Sequence, residues 1–269
     1  MTQRILGGAG RFLRKYGLSI LTVALLLVVW QVAVDYFRIK KYILPSPALI
    51  LNSFIDPRQA ARNQWLKHFT ATTTGILGAF GLTVAAGFLI AVVIVWSKTA
   101  NRIIMPLIVL FNSIPKIALA PLFLLWLGYG TFPHIMIAFA VAFFPIVINS
   151  AVGMQAVDDD LLDLVRYLGA SKLQVFLKIR IPNSLPYIFA GVKTSTTMCI
   201  VGVLVGEFIA SKRGLGYLIR DAQAFIDMPT MFAALVVLAA IGMAFFGLIS
   251  VLERVLMPWE PSLRGEAAE

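Results

Sequence analysis

The residues able to do chemistry in this chain are few and far apart. Cys199 is the single cysteine, so no intrachain disulfide can form, and its apolar surroundings mark it as a small packing residue rather than a redox or metal group. His68 and His134 have no ligand spacing around them and read as polar residues at the ends of apolar stretches, so no metal site is expected. The early cluster Gly7-Gly8-Ala9-Gly10 runs into Arg11-Phe12 with no strand before it, unlike the G-x-x-x-x-G-K-[ST] phosphate cradle. The chain therefore cannot hydrolyse ATP by that route. A nucleophile elbow, a paired acid and base in a soluble domain and a nucleic-acid module are missing too. The pattern is not that of an enzyme, and no cofactor is expected on the chain itself.

One polar, turn-punctuated segment, residues 158–182, is long enough to work at a membrane surface. Asp158, Asp159 and Asp160 stand at the head of the apolar periodic stretch Leu161, Leu162, Leu164, Val165, Leu168, where carboxylates favour the positive end of a helix dipole. A short amphipathic helix should begin there. Gly169 supplies a permissive turn, and Ser171 with Gln174 makes a capping-box pattern that starts a second short helix. Pro182 and Pro186 are expected to stop that helix and restart the chain as a membrane span. The predicted product is a helix-turn-helix with Leu161, Leu164, Leu168, Leu173 and Phe176 free to pack on a bundle or a partner. An ordinary amphipathic interfacial loop is the plainer alternative.

Composition places this segment in a membrane protein. With 59% hydrophobic residues, 13% charged residues and a mean hydropathy of +0.88, the chain must use lipid as part of its solvent. Six stretches are long and apolar enough to span a bilayer: 17–34, 69–96, 103–127, 132–157, 184–207 and 228–252. The tight break Gly128-Tyr129-Gly130-Thr131 separates the third from the fourth, and the fifth carries Lys193. The expected organisation is a cytoplasmic segment 1–15, a six-span domain 16–256 containing the loop 158–182, and a cytoplasmic tail 257–269. The first apolar run has no small-residue cleavage site and reads as a retained span. With a cytoplasmic N-terminus, inner segments hold twelve Lys and Arg and outer segments nine, a small positive-inside bias. The net charge of +10 suits headgroup-facing and snorkelling side chains, not nucleic acid.

The run Asp163-Leu164-Val165-Arg166-Tyr167-Leu168-Gly169, followed after nine residues by Ile179-Arg180-Ile181-Pro182, resembles the "EAA" loop of ABC-importer permeases, E-A-A-x-x-x-G-x9-I-x-L-P. Asp163 stands for the glutamate, Leu164 and Val165 for the alanines and Ile181 for the leucine; the register from Gly169 to Ile179 and Pro182 is kept. Further signatures follow in order: Ile43-Leu44-Pro45-Ser46-Pro47, Pro115-Lys116-Ile117-Ala118-Leu119-Ala120-Pro121, Phe143-Phe144-Pro145 with Asn149, Gly206-Glu207, Gly214-Leu215-Gly216-Tyr217 and Met257-Pro258-Trp259. Together they are similar to the nitrate/sulfonate/taurine branch of these permeases. The resemblance implies an all-α type I importer permease fold in an inner membrane with both termini cytoplasmic. It also implies a homodimer, two cytoplasmic ATPase subunits that use ATP and Mg2+, and an external solute-binding protein. From it, Asp163 and Gly169 are expected at the ATPase contact, with Ala170 and Ser171 at its turn, Leu164, Leu168 and Leu173 as apolar contacts, and Ile179 and Pro182 completing the motif.

Five residues are candidates for a transport path, and each has a plainer reading. Lys116, following Pro115 in the third span, either attracts an anionic solute or braces a gate, or else pairs locally or snorkels. Asn112 and Asn149 lie in apolar runs where amides commonly bridge helices, and Ser195 sits in a Thr194–Thr197 hydroxyl run suited to backbone bonding. Glu207 meets an external protein or shapes an outer gate, or is a solvated interfacial acid. Gly75, Gly78, Ala79, Gly81, Ala85, Ala86 and Gly87 suit close helix packing, and Pro106, Pro115, Pro121, Pro133 and Pro145 are expected to break or bend spans three and four, breaks that require burial in protein or a cavity. A secondary transporter or channel without an ATPase is the rival reading. The scattered Lys116, Lys193 and Glu207 make a poor basis for it.

Overall fold

In a computed structural model, which describes residues 2–259 and side chains from residue 17 onward, every regular element is helical. The tail beyond residue 259, with Arg264, and the side chains of the N-terminal arginines and glycines lie outside the described residues. Among the described residues five helices are long and apolar enough to cross a membrane, and a bent pair makes a sixth when its two helices are counted as one span. These overlie the six stretches expected from hydropathy, but the second and fifth begin well before positions 69 and 184, at Pro57 and Lys172.

Two compact units divide the chain, and the first comprises Met1–Trp65 with Leu218–Leu235. It holds α1 (Thr2–Tyr36), whose stretch Gly17–Tyr36 is the first span, and two short helices, α2 (Pro47–Ile55) and α3 (Pro57–Asn63). The motif Leu44-Pro45-Ser46-Pro47 proves to be a helix start. The Ser46 hydroxyl accepts from the Leu49 N–H at 3.4 Å, and Pro47 occupies the first turn, where its missing N–H costs nothing. Asp56 caps α3 in the same way. Arg62 pairs with Asp227, which also accepts from the Thr230 hydroxyl at 2.9 Å.

The second unit, Leu66–Tyr217 with Val236–Glu269, carries the bundle. Its axis is the pairing of α7 (Thr131–Gln155) with α10 (Ile181–Ala210). Glycine makes the approach possible: a Cβ on Gly191 would stand 3.0 Å from the Pro145 carbonyl, and one on Gly206 would stand 3.1 Å from the His134 Cα. At Gly202 it would overlap the Ala138 backbone outright. The small residues of α4 (Trp65–Trp96) act similarly, with Gly78 against Ile135 and Gly87 against Ile146, while Gly81 faces open space. Ala91 and Ile94 of α4, Ile108 of α5 (Lys98–Ser113) and Val147 and Ala151 of α7 form a buried cluster.

One expectation is met and one needs correction. The prolines of the third stretch break it, as expected: α5 and the following segment, a 3-10 turn Lys116–Leu119 leading into α6 (Ala120–Leu127), meet at an 80° bend around Pro115. Pro182, in turn, does not stop the helix before it. After α9 (Lys172–Val175), a π turn at Phe176–Arg180 leads straight into α10, and Lys172–Ala210 is one apolar path. Pro182 falls in the first turn of α10, reached through the wide turn in which the Ile181 N–H donates to the Phe176 carbonyl, and Pro186 lies inside α10. The remaining helices are α8 (Asp159–Tyr167), α11 (Leu215–Ala224) and α12 (Met228–Leu256).

Candidate coupling loop and transport path

The loop 158–182 is built by local rules. Asp158 caps α8 by accepting from the Asp160 N–H at 2.9 Å, and Asp159 and Asp160 fill the first turn, complementing the helix dipole. Gly169 ends the helix at φ +79°, a left-handed conformation disfavoured for residues with a Cβ. Its N–H donates to the Arg166 carbonyl at 2.9 Å and that of Ala170 to Val165 at 3.0 Å, the paired bonds of a Schellman turn. The capping box then closes in both directions: Gln174 N–H to the Ser171 hydroxyl at 3.3 Å, and Ser171 N–H to Gln174 Oε1 at 2.8 Å.

Two contacts fasten this unit to the bundle. Arg180 donates to the Met154 carbonyl at the end of α7 at 2.9 Å, and buried Phe176 meets Trp96 edge to face, ring centres 5.4 Å apart. Leu162 is buried inward. Leu161, Leu164, Leu168 and Leu173 remain 42%, 55%, 72% and 56% exposed, a ridge on one rigid scaffold. Phe176, grouped with them on sequence, belongs to the anchor instead. Asp163 is exposed and bonded to Arg166 at 2.9 Å, Gly169 and Ser171 are exposed, and Ala170, Ile179 and Pro182 are half-buried at the junctions.

The path candidates are not brought together into one cluster. Lys116 lies in the 3-10 turn of the broken span, where its ammonium donates to the Asn112 carbonyl and side chain at 2.8 and 2.9 Å and sits 4.6 Å from the Phe144 ring centre. Asn149 donates to the Pro145 carbonyl at 2.7 Å, bonding back along its own helix inside the α7–α10 seam. Ser195 is buried and donates to the Ala142 carbonyl at 2.7 Å, tying α10 to α7.

Glu207 is neither solvated nor loose. It is 2% exposed; the Thr72 hydroxyl reaches its carboxylate at 2.8 Å and the Gly216 N–H donates at 2.9 Å. Thr72 in turn accepts from the Leu215 N–H at 2.7 Å, and the Gly214 N–H donates to His68 Nδ1 at 3.0 Å. His68 stacks on Tyr217, and both histidines are buried where the sequence suggested interfacial positions. Thr72, His68, Gly214 and Gly216 were missed as one constellation; the signal was Glu207 followed closely by the glycine pair. Lys193 is also explained, because it pairs with Glu253 of α12 and lies 5.9 Å from the Phe246 ring centre. Glu253 was overlooked because it falls just past the sixth stretch.

The binding-protein-dependent transport system inner-membrane component family matches residues 83–257, from mid-α4 through the loop 158–182 to α12. The chain belongs to that family. It is an ABC-importer permease, and its all-α bundle is the type I importer permease fold. Relatives of the permease include the riboflavin transport system permease protein RibX of Chloroflexus aurantiacus, 34% identical over 90% of this chain and 89% of the relative. The formylaminopyrimidine transport permease protein ThiX of Halalkalibacterium halodurans is 31% identical, over 87% and 92%. The taurine transport system permease protein TauC of Escherichia coli is 28% identical, over 91% and 90%. The permease is thus a membrane component of a transport system, and such components are generally not enzymes.

Proposed function

We propose that this permease is the membrane-spanning part of an ATP-driven importer that moves a small anionic nutrient inward by alternating access. Sulfonates such as taurine, nitrate, bicarbonate and vitamin precursors form the candidate class. Two copies form the pathway, two cytoplasmic ATPase subunits bind ATP and Mg2+, and an external solute-binding protein delivers the solute. Both termini face the cytoplasm, which puts the loop 158–182 on the ATPase side.

One observation carries this reading: the loop 158–182 is a doubly capped helix-turn-helix, fastened to the bundle by Arg180 and Phe176, that leaves Leu161, Leu164, Leu168 and Leu173 in solvent. Rigid scaffolding beneath exposed leucines suits a protein partner that pushes on them. In this reading Asp163 and Gly169 sit at the contact, Ala170 and Ser171 form its turn, and Ile179 and Pro182 pass the motion into α10. Asn112, Lys116, Asn149, Ser195 and Glu207 act around the path, Lys116 with Asn112 bracing the break in the third span, Ser195 joining α10 to α7 and Glu207 joining α10 to α4. The anionic class is supported by relatives named as taurine and aliphatic sulfonate transport permeases, and by Lys116 at the break in the third span.

The test is mild extraction from the native membrane with crosslinking through cysteines placed at Leu164 and Leu168. Capture of an ATPase by those positions, with a solute-binding protein co-purifying, is the expected result. Recovery of this chain alone under crosslinking would replace the reading with a self-contained transporter or channel.

A further inference from the structure

At the end of α7 and α10 opposite the loop 158–182, a cavity of about 260 Å³ lies among helices of the second unit. Its wall includes Gly130, Thr131, His134, Glu207, Lys212 and Arg213. Three features of this wall converge on a negatively charged guest. First, Gly130 precedes α7 with no side-chain cap, so the first N–H groups of a 25-residue helix, those of Thr131, Phe132 and His134 since Pro133 has none, lack an intrahelical acceptor at the positive end of its dipole.

Second, His134 in that first turn is 4% exposed, and its Nε2 has no hydrogen-bond partner, a state that buried polar atoms rarely keep. Third, Arg213 and Lys212 bring two cations to the rim, and the Arg213 guanidinium is already aimed at the helix start by a 3.1 Å bond to the Thr131 hydroxyl. Against them stands the one acid in the wall, Glu207, whose carboxylate is held by Thr72 and the Gly216 N–H and forms no ion pair with Arg213 or Lys212 among the described residues.

We infer that this cavity is an oxyanion site which takes the sulfonate, carboxylate or nitrate group of a free small solute. Oxyanion oxygens suit this donor set, because a planar guanidinium and helix N–H groups bind them with directional, charge-assisted bonds. The volume admits a small molecule of a few heavy atoms. The inference rests on the importer reading for its biological meaning, since the cavity would then sit on the external side and receive solute before passage. It does not rest on that reading for the binding itself.

The experiment is isothermal titration of the permease, with its co-purified partners, in lipid nanodiscs without ATP. The probe is methanesulfonate, and dimethyl sulfone serves as the neutral control of similar shape. Saturable binding of methanesulfonate but not of the sulfone is expected, weakened at least tenfold by Arg213→Gln, an exposed position whose substitution should leave the thermal unfolding midpoint unshifted. Thr131→Val should weaken it less, because it releases the guanidinium without removing it.

Absence of saturable binding to the wild-type permease, or binding that Arg213→Gln leaves unchanged, overturns the inference. Arg213 shielded only by a solute-binding protein, with no methanesulfonate uptake into the cavity, overturns it in favour of a protein carboxylate. The two readings fail separately. ATP-driven transport without methanesulfonate binding sinks the anion site alone, whereas methanesulfonate binding by a permease that no ATPase accompanies sinks the importer alone.

Discussion

The two loops that flank α10 use opposite strategies. Before α10, residues 158–182 are shaped by local caps and leave four leucines uncovered. After α10, residues 211–217 are pinned by a buried carboxylate, a hydroxyl and an imidazole, and their polar groups find partners within the same unit. The first loop is a finished shape with an unfinished surface, as suits a segment completed by another protein. The second is closed on itself and gains rigidity from a network in which each member depends on the others. In this permease, stiffness against the bundle is common to both, and only exposure of apolar area separates a contact surface from a structural clasp.

Substitutions can break this contrast in graded ways. Gly214→Val should have the largest effect, because a Cβ there would overlap the Glu207 carboxylate and φ is +112°. A loss of about 4 kcal/mol or more is expected, read as loss of monodisperse protein on size-exclusion chromatography. Glu207→Ala leaves the Gly216 N–H and the Thr72 hydroxyl without an acceptor and should cost roughly 3 kcal/mol. Thermal unfolding in detergent would check it, and an unchanged midpoint would show that the clasp is not cooperative.

Gly169→Val crosses to the other loop. No atom stands within 4 Å of a Cβ there, so the cost is the backbone strain of φ +79°, about 2 kcal/mol. The protein should remain in the membrane at near-normal levels while ATP-driven uptake falls at least tenfold; normal uptake would remove Gly169 from the coupling contact. Leu164→Asp with Leu168→Asp should change stability least, by under about 0.5 kcal/mol, because both side chains are largely in solvent. Loss of the ATPase on co-purification, with an unshifted unfolding midpoint, would sharpen the contrast. A large shift would instead mean that the leucines pack within the permease.

Much of the first loop was legible because its signals lie within a few residues of one another. Asp158 with Asp160, the turn at Gly169, and Ser171 with Gln174 are all pairings that a helix end demands locally. The clasp was not legible. Thr72 and Glu207 are 135 positions apart, and nothing in the neighbourhood of either announces the other. The same holds for Lys193 with Glu253, and for Phe176 with Trp96: the sequence left Phe176 free to pack on the bundle or on a partner, and the fold seats it against Trp96. The path through Pro182 was misjudged for a subtler reason: a proline forbids a regular interior turn but accepts a first turn reached through a wider one.

By itself, then, the sequence determined the membrane class, the six apolar stretches, the helix-turn-helix and its register, since hydropathy and capping act over one helix or one turn. The tertiary structure decided which helices meet. Glycines at 191, 202 and 206 let α10 lie against α7, and only that contact buries Ser195 on its carbonyl acceptor. Only the folded unit surrounds Glu207 with donors and sets Arg213 over the uncapped start of α7. Burial and long-range hydrogen bonding require partners brought together in space, and their energies depend on packing that no stretch of chain contains alone.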